Sequence, residues 1–420
     1  MRSLLPLFLG ALAFSQTTTP QAQTFVPSDE LNAQLPKWLR FSGEYRARFE
    51  GFSGGGFRPG NDDAYFLNRV RLNMSIAPTP WLKFNFQAQD ARVFGKTLKP
   101  YGPPFEDTFD LRMAYIEIGE PEKKAFGMRV GRQELVFGEQ RLIGHVSWLN
   151  TARTFDAVRA TVRHNGYRLD AFSASVVNIR NHEWNHHQDG NNFHGLYGGI
   201  EKLVPKAIIE PYALWRVGPR IDFKTWGVRF VGKLPANFDY GTEMAKQTGS
   251  TQAWAGHWRL GYTLPKFTWK PRISAEYNYA SGDDNPTDNK LTTFDVLYPT
   301  PHDKYGLADQ VGWKNIHHFR FGPEFKLNKR LNAIANYHNW WLASPKDALY
   351  NAGGTPLFRV AAGTAGRHVG QEVDGQLMFA MNKQVSLSGG FAHIFPGEFL
   401  KKASSGASYN YPYLMLGYTF

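Results

Sequence analysis

Arginine residues recur at alternate positions in extended segments of this 420-residue chain. One residue separates Arg46 from Arg48, and one separates Arg69 from Arg71. Because alternate residues of a β-strand point to the same face of a sheet, each pair presents two guanidinium groups side by side. A guanidinium binds a carboxylate through two parallel hydrogen bonds. The spacing therefore predicts a surface that attracts anions, with uronate-bearing sugars as natural ligands.

The residues between these arginines are apolar. Phe66, Val70 and Leu72 alternate with Arg69 and Arg71, and a period of two predicts a strand with one apolar and one polar face. We find about 18 such segments between residue 41 and the C-terminus, joined by alternately short and long connections. The polar phase carries further cations: Lys83, Arg159, Arg163, Arg229, Arg259, Arg272 and Arg320. Acids in that phase are fewer: Glu44, Glu276, Glu372 and Asp374.

Composition excludes several classes of protein. The chain has no cysteine, which excludes disulfide frameworks, cysteine-based zinc sites, iron–sulfur clusters and cysteine nucleophiles. Outside the N-terminus no apolar run approaches the roughly 18 residues of a spanning helix, which excludes a polytopic helical membrane protein. The net charge of +12 and an aromatic content of 15% remain to be explained.

The N-terminus predicts secretion. Arg2 precedes an apolar run over residues 4–14, and Ala13-Phe14-Ser15 fits a cleavage site. We therefore predict a signal peptide at residues 1–15, with cleavage after Ala22 as the alternative. Residues 16–36 are then an N-terminal periplasmic extension, and residues 37–420 form the remaining domain.

Secretion and alternation together predict an all-β fold. The expected architecture is a transmembrane antiparallel up-and-down β-barrel of about 18 strands, with short periplasmic turns and long extracellular loops. A secreted sandwich would show the same alternation. The barrel is favoured because aromatic residues such as Trp81, Trp226 and Trp258 stand near segment ends, as in membrane-interface girdles, and because the last strand ends on Phe420. The expected location is the outer membrane of a Gram-negative-type bacterium.

In such a barrel the apolar phase faces lipid and the arginine phase lines the lumen. An arginine-lined lumen concentrates anions and speeds their entry. The candidate pore-lining cations read from alternation are Arg46, Arg48, Arg69, Arg71, Arg159 and Arg320.

Several stretches resemble the alginate-export family of outer-membrane porins. They are residues 111–117, residues 129–142 around Gly131-Arg132-Gln133, residues 148–159, and a later group at 280–284, 293–295 and 298–309. The resemblance extends from about residue 40 to the end. It implies a monomeric 18-stranded barrel with an electropositive, loop-constricted pore for an anionic polysaccharide. It also implies that Arg132 and Arg112 line the pore, with Arg159 as a third candidate.

The predicted function is passive conduction of uronate-containing, alginate-like oligo- or polysaccharide. The expected partners are that saccharide, outer-membrane lipid and lipopolysaccharide, and the barrel-assembly machinery, with no nucleic acid. The alternatives are a general anion or small-solute porin and an outer-membrane hydrolase, for which Ser274 and His318 are the nearest candidates. No catalytic residue, metal site or cofactor is predicted. Residues 282–289 are rich in oxygen ligands for Ca²⁺ but lack EF-hand spacing.

Overall fold

Antiparallel strands make up most of the chain. The computed structural model describes residues 26–285 and 287–420, so the predicted signal peptide lies outside the described residues. Within the described part, no helix is long and apolar enough to cross a membrane. The two α-helices there are α1 (Pro27–Gln34) and α2 (Glu398–Ala403), and short 3₁₀ turns occur at Gly55–Phe57 and Pro235–Asn237.

The strands of the described residues are β1 (Leu39–Phe52), β2 (Asp63–Thr79), β3 (Leu82–Phe94), β4 (Asp107–Gly119), β5 (Phe126–Gln133), β6 (Phe155–His164), β7 (Tyr167–Asn178), β8 (His186–Ile200), β9 (Ala207–Gly218), β10 (Ile221–Lys233), β11 (Phe238–Gly249), β12 (Trp254–Thr263), β13 (Arg272–Ala280), β14 (Ile316–Lys326), β15 (Leu331–Leu342), β16 (Leu349–Tyr350), β17 (Pro356–Phe358), β18 (His368–Ala380), β19 (Val385–Pro396) and β20 (Tyr409–Thr419).

Eighteen of these strands form one closed sheet. Each pairs antiparallel with its neighbour in sequence, β15 pairs with β18, and β1 pairs with both β2 and β20. A sheet without a free edge is a barrel. The predicted 18-stranded antiparallel barrel is therefore confirmed, and the sandwich is excluded. Strands β16 and β17 form a separate hairpin within one of the connections.

The seam between β1 and β20 ends in a tight contact. Gly43 and Phe420 exchange backbone hydrogen bonds of 2.6 and 2.9 Å. Two residues nearer the start of β1, at Phe41, β20 has ended, and the side chain of Asn32 in α1 makes the hydrogen bonds that a paired strand would make. Its amide nitrogen donates to the Phe41 carbonyl at 2.7 Å, and its oxygen accepts from the Phe41 amide at 2.8 Å. Helix α1 thus continues the pairing where the C-terminus stops.

Connections differ in length at the two rims. One rim has short turns, such as residues 80–81, 165–166 and 381–384. The opposite rim carries the long connections 53–62, 95–106, 134–154, 281–315, 343–367 and 397–408. We call them the short-turn rim and the long-loop rim.

The long loops fold into the barrel and form its apolar core. Phe294, Tyr305 and Trp313 from residues 281–315 are buried against strand residues such as Phe193 and Trp340. Outward-facing strand residues remain exposed, as Phe66 and Leu72 do on β2. The strands therefore supply a wall with an apolar exterior, and the loops fill its interior.

Replacing Gly43 with alanine should weaken the seam. A Cβ there would lie 2.4 Å from the Phe420 ring and 2.8 Å from the Arg71 carbonyl oxygen. We expect a loss of ~1–3 kcal/mol from this overpacking, measured as the fraction of refolded barrel that resists unfolding by SDS as temperature rises. The control is Gly51→Ala on the same strand, where the nearest atoms are 3.6 Å away. Equal resistance of the two variants would contradict the prediction.

Candidate functional site in the barrel interior

One loop crosses the whole lumen. Residues 134–154, which we call the crossbar, leave β5 and return to β6. Ser147 and Leu149 reach arginines of β1 and β2, whereas Glu139 and Arg141 reach side chains of β10, β12 and β13. In a ring of 18 strands β1 and β10 stand opposite each other. The crossbar therefore spans the barrel from one wall to the other.

Buried arginines hold the first end of the crossbar. Arg46 donates to the Ser147 carbonyl at 2.7 Å, and Arg69 donates to the same oxygen at 3.1 Å and to the Leu149 carbonyl at 3.2 Å. Arg48 donates to the Trp148 carbonyl at 2.6 Å, and its guanidinium carbon lies 3.9 Å from the centroid of that ring. These side chains bind the backbone of a loop and have little contact with solvent.

The strand register explains why the arginines of β1 and β2 lie close together. Arg46 lies directly opposite Arg69, and Glu44 lies opposite Arg71, so the two arginine pairs are neighbours as the sequence predicted. Glu44 Oε1 is 2.6 Å from Arg69 Nη2 and 3.3 Å from Arg71 Nη1. Arg71 also donates to Gln89 at 2.8 Å. Glu44, the loop carbonyls and Glu50, which lies 2.7 Å from Arg48 Nε, together offset the repulsion between the guanidinium groups.

Arg112 joins this cluster through a β-bulge. The pairing of β3 with β4 shifts so that Gln87 is opposite Met113 and Ala88 opposite Leu111, which leaves Arg112 as the extra residue. Its side chain turns inward, donates to Gln87 Oε1 at 2.6 Å and pairs with Glu134 of the crossbar. A bulge resets the alternation of a strand. This is why Arg112 points inward although Ile116, in the same sequence phase, is exposed on the outer face.

Charged side chains hold the second end of the crossbar. Glu139 Oε1 is 3.0 Å from Arg259 Nη2 and 3.4 Å from Arg229 Nη2. Arg141 is buried and donates to Glu276 at 3.0 Å and to the Tyr305 hydroxyl at 3.1 Å. Burial alone would raise the pKa of Glu139, but Arg259 and Arg141 outweigh burial and hold that pKa below its ordinary value. Glu139 therefore keeps its negative charge into the acidic range.

A row of alternating charges runs along the wall toward the short-turn rim. We call it the arginine belt: Arg159, Asp170, Arg168, Glu210, Arg229, Glu139 and Arg259. Asp170 bridges Arg159 at 2.7 Å and Arg168 at 3.0 Å. The side chains of Arg168 and Arg259 remain 19% and 25% exposed, so solvent reaches them. Arg259 donates to Glu139 through Nη2 only, which leaves other N–H groups of its guanidinium unused.

The remaining predicted arginines fall into two groups, those that face the lumen and one that faces away from it. Arg159 belongs to the belt, and Arg320 faces inward, donating to Asn336 at 3.1 Å. Arg132 is placed elsewhere. It pairs with Asp156 at 2.8 Å, and Asp156 follows Phe155, whose ring contacts Tyr298 inside the barrel. Because neighbouring strand residues point to opposite faces, Asp156 and Arg132 face away from the lumen.

The sequence count of inner acids was too low. Besides the four acids counted from alternation, inner-face arginines pair with further acids, including Glu50, Glu117, Glu134, Glu139, Asp170, Glu210, Asp239 and Glu324. Arg129 and Arg168 of the inner face were also missed. All of these residues lie in strands or at loop ends, where a single charged residue does not show which face of the sheet it occupies.

Among the described residues, one group of three side chains is of the types that bind metal ions. His338, Glu372 and Asp374 are buried, and their ligand atoms lie within 4.8 Å of one another. However, Asn278 donates to His318 Nδ1 at 3.0 Å, and His318 Nε2 then donates to His338 Nδ1 at 2.9 Å. The His338 proton is left on Nε2, 2.8 Å from Asp374, where a metal would need an unprotonated nitrogen. The contacts favour a hydrogen-bonded chain.

The two hydrolase candidates, Ser274 and His318, are not in contact. Ser274 lies opposite Gly322, whereas His318 lies opposite Asn278, four positions further along β13. At ~3.3 Å per residue this separates them by ~13 Å. In the oxygen-rich loop, Asp283 Oδ1 accepts from the Asn285 amide at 3.0 Å. The absence of a cofactor stays a prediction, with Ca²⁺ in this loop as the alternative.

A family model described as alginate export matches residues 37–413. The chain belongs to the alginate export family. The resemblance read from the sequence is thereby confirmed, and the match covers every strand except the end of β20. For this member of the alginate export family, no curated protein matches in sequence.

Solved structures share the barrel of this alginate export family member. OccK8 (OprE) of Pseudomonas aeruginosa has a TM-score of 0.63 at 13% identity, over 91% of this chain and 98% of that chain. OpdQ of P. aeruginosa has a TM-score of 0.64 at 12% identity, over 92% and 99%. OccAB3 of Acinetobacter baumannii has a TM-score of 0.63 at 13% identity, over 90% and 99%. At these identities the likeness shows the fold, which is a porin-like outer-membrane barrel.

Replacing Arg46 with glutamine should loosen the crossbar. The change leaves buried carbonyls of Ser147 and Leu149 short of donors, at a cost of ~1–3 kcal/mol. We expect backbone amides of residues 145–152 to exchange hydrogen roughly tenfold faster, measured by mass spectrometry on the folded barrel. Arg92→Gln is the control, because Arg92 is 52% exposed and pairs with Asp90 on the outer face. Unchanged exchange in the Arg46 variant would show that the loop is held by other contacts.

Proposed function

We propose that the protein is an outer-membrane porin that passively conducts anionic, uronate-containing oligo- or polysaccharide. The observation that carries the proposal is the arginine belt, whose partly exposed guanidinium groups face the lumen. Family membership and the porin-like fold support the same conclusion. In this proposal the long-loop rim faces outside the cell and the short-turn rim faces the periplasm, as in bacterial barrels.

The belt suits an acidic chain because its arginines are already oriented. Each acid of the belt fixes two neighbouring guanidinium groups, for example Glu210 between Arg168 and Arg229. A guanidinium has five N–H donors, and Arg259 uses few of them on Glu139. A uronate carboxylate can therefore bind the remaining edge and pass to the next arginine without stripping either of its own partner. Weak binding at several sites favours conduction.

The buried arginines have a different role in this proposal. Arg46, Arg48, Arg69, Arg71 and Arg112 fix the crossbar and set the constriction that solutes meet. Arg159 and Arg320, with Arg168 and Arg259, contact the solute. Arg132 is left out of the pore because it faces away from the lumen.

Replacing Arg168 and Arg259 together with glutamine should reduce binding of acidic sugars. In planar bilayers the wild type should prefer anions, and oligouronates should block its current. Loss of two partly exposed guanidinium groups should weaken that block about fivefold, equivalent to ~1 kcal/mol. Arg92→Gln, on the outer face, is the matched control.

The alternatives give different currents. An anion-selective current that oligouronates do not block would indicate a general anion porin. A silent or cation-selective channel would overturn the transport proposal.

A further inference from the structure

The outer wall of the barrel contains an open apolar groove. It has a volume of about 480 Å³ and crosses strands β6 to β10. The outward-facing row along it consists of Ala160, Ala171, Leu196, Ala213 and Trp226, so small residues flank a single half-exposed leucine. Elsewhere on the wall, large side chains such as Leu72 and Leu111 cover the strands. The small residues therefore create a slot wide enough for a flexible chain.

The slot opens toward the membrane and not toward the lumen. Ala171 lies between Asp170 and Phe172, which both point inward, Asp170 to the arginine belt and Phe172 to Phe137 of the crossbar. Ala171 itself therefore faces outward. Gly195 lies opposite Phe172, so its missing side chain is on the lumen side and only its backbone borders the slot.

A polar row borders the groove on its long-loop side. The register places Ser173 beside His194, His194 beside Trp215, and Trp215 beside Lys224. The Ser173 hydroxyl and His194 Nδ1 are 3.0 Å apart, and Lys224 Nζ lies 5.5 Å from the Trp215 ring centroid. Lys246 is opposite Trp226 on the neighbouring strand and is exposed. The row thus combines the outward-facing Lys224 with hydrogen-bonding groups, and Lys246 lies in the next row, beyond Trp226.

This arrangement matches a lipid with a phosphorylated head and acyl chains. A lysine on the lipid-facing surface is destabilising in hydrocarbon unless it reaches the interface. Lys224 is three residues from the start of β10 at the long-loop rim, and Lys246 is three residues from the end of β11 at the same rim. Both therefore lie at headgroup depth, where they can pair with phosphate. The apolar slot begins one cross-strand row below Lys224, and Lys246 stands at the end of the slot's own row.

We propose that this groove is a specific site for the phosphorylated glycolipid of the outer leaflet, lipid A. An acyl chain lies in the slot against Ala160, Ala171, Leu196 and Ala213, and Lys224 and Lys246 bind phosphate. Ser173 and His194 offer partners for sugar hydroxyls, which a simple phospholipid lacks. The inference rests on the outer-membrane placement proposed above, in which the long-loop rim faces outward, but it does not depend on what the pore conducts.

The test measures lipid A binding to the full-length barrel in detergent by native mass spectrometry. We expect the double variant Lys224→Gln/Lys246→Gln to bind lipid A at least tenfold more weakly than wild type. Ala213→Leu, which fills the slot and keeps both lysines, should cause a similar loss. Two controls should bind as wild type: Lys206→Gln/Lys233→Gln, which removes two exposed cations at the opposite rim, and Ala88→Leu, an outward alanine between Leu72 and Leu111.

Other outcomes would overturn the proposal. Unchanged binding in the lysine variant or in Ala213→Leu would show that lipid A does not use this groove. Equal affinity for phosphatidylglycerol would show that the groove binds acyl phospholipids generally and is not a glycolipid site. Because binding is read without current, a barrel that binds lipid A but fails to conduct would overturn only the transport proposal.

Discussion

Closure of the sheet is the constraint on which the rest of this structure depends. Every strand of the wall must have two hydrogen-bonded neighbours, because an unpaired edge in lipid leaves backbone groups without partners. The pairing of β1 with β20 meets this requirement, and Asn32 extends it beyond the last residue. Once the wall is closed, alternation divides its side chains between lipid and interior. The polar half of every strand is then enclosed, and each enclosed charge needs a partner.

Those partners come from two sources, and the difference separates two roles of arginine. Around Arg46 and Arg69 the acceptors are largely backbone carbonyls of the crossbar, so the guanidinium groups are buried and the loop is fixed. In the arginine belt the acceptors are carboxylates such as Asp170 and Glu210, and the arginine side chains remain 11–25% exposed. The same residue type therefore fixes a loop on one wall and forms a partly exposed row of charges on the other.

The crossbar also organises the second long loop. Ile143 forms a parallel bridge with Tyr298, and the ring of Trp148 stacks on His302 with centroids 3.8 Å apart. Arg141 meanwhile bonds Tyr305 of the same loop. Residues 281–315 are thus held by the crossbar as well as by the wall. A movement that widens the lumen has to displace both loops together, and the arginine contacts of the crossbar are the bonds that resist it.

The sequence by itself determined the wall of this protein. A period of two is local, so apolar and polar faces, the strand number and the neighbouring positions of Arg46/Arg48 and Arg69/Arg71 could be read residue by residue. It also carried the family motifs. Tertiary structure decided what those faces do. The bulge at Arg112 and the outward side of Arg132 depend on cross-strand register. The loop carbonyls bound by Arg46 lie about 100 positions away in sequence, and no local pattern of residue types encodes which loop turns inward to meet them.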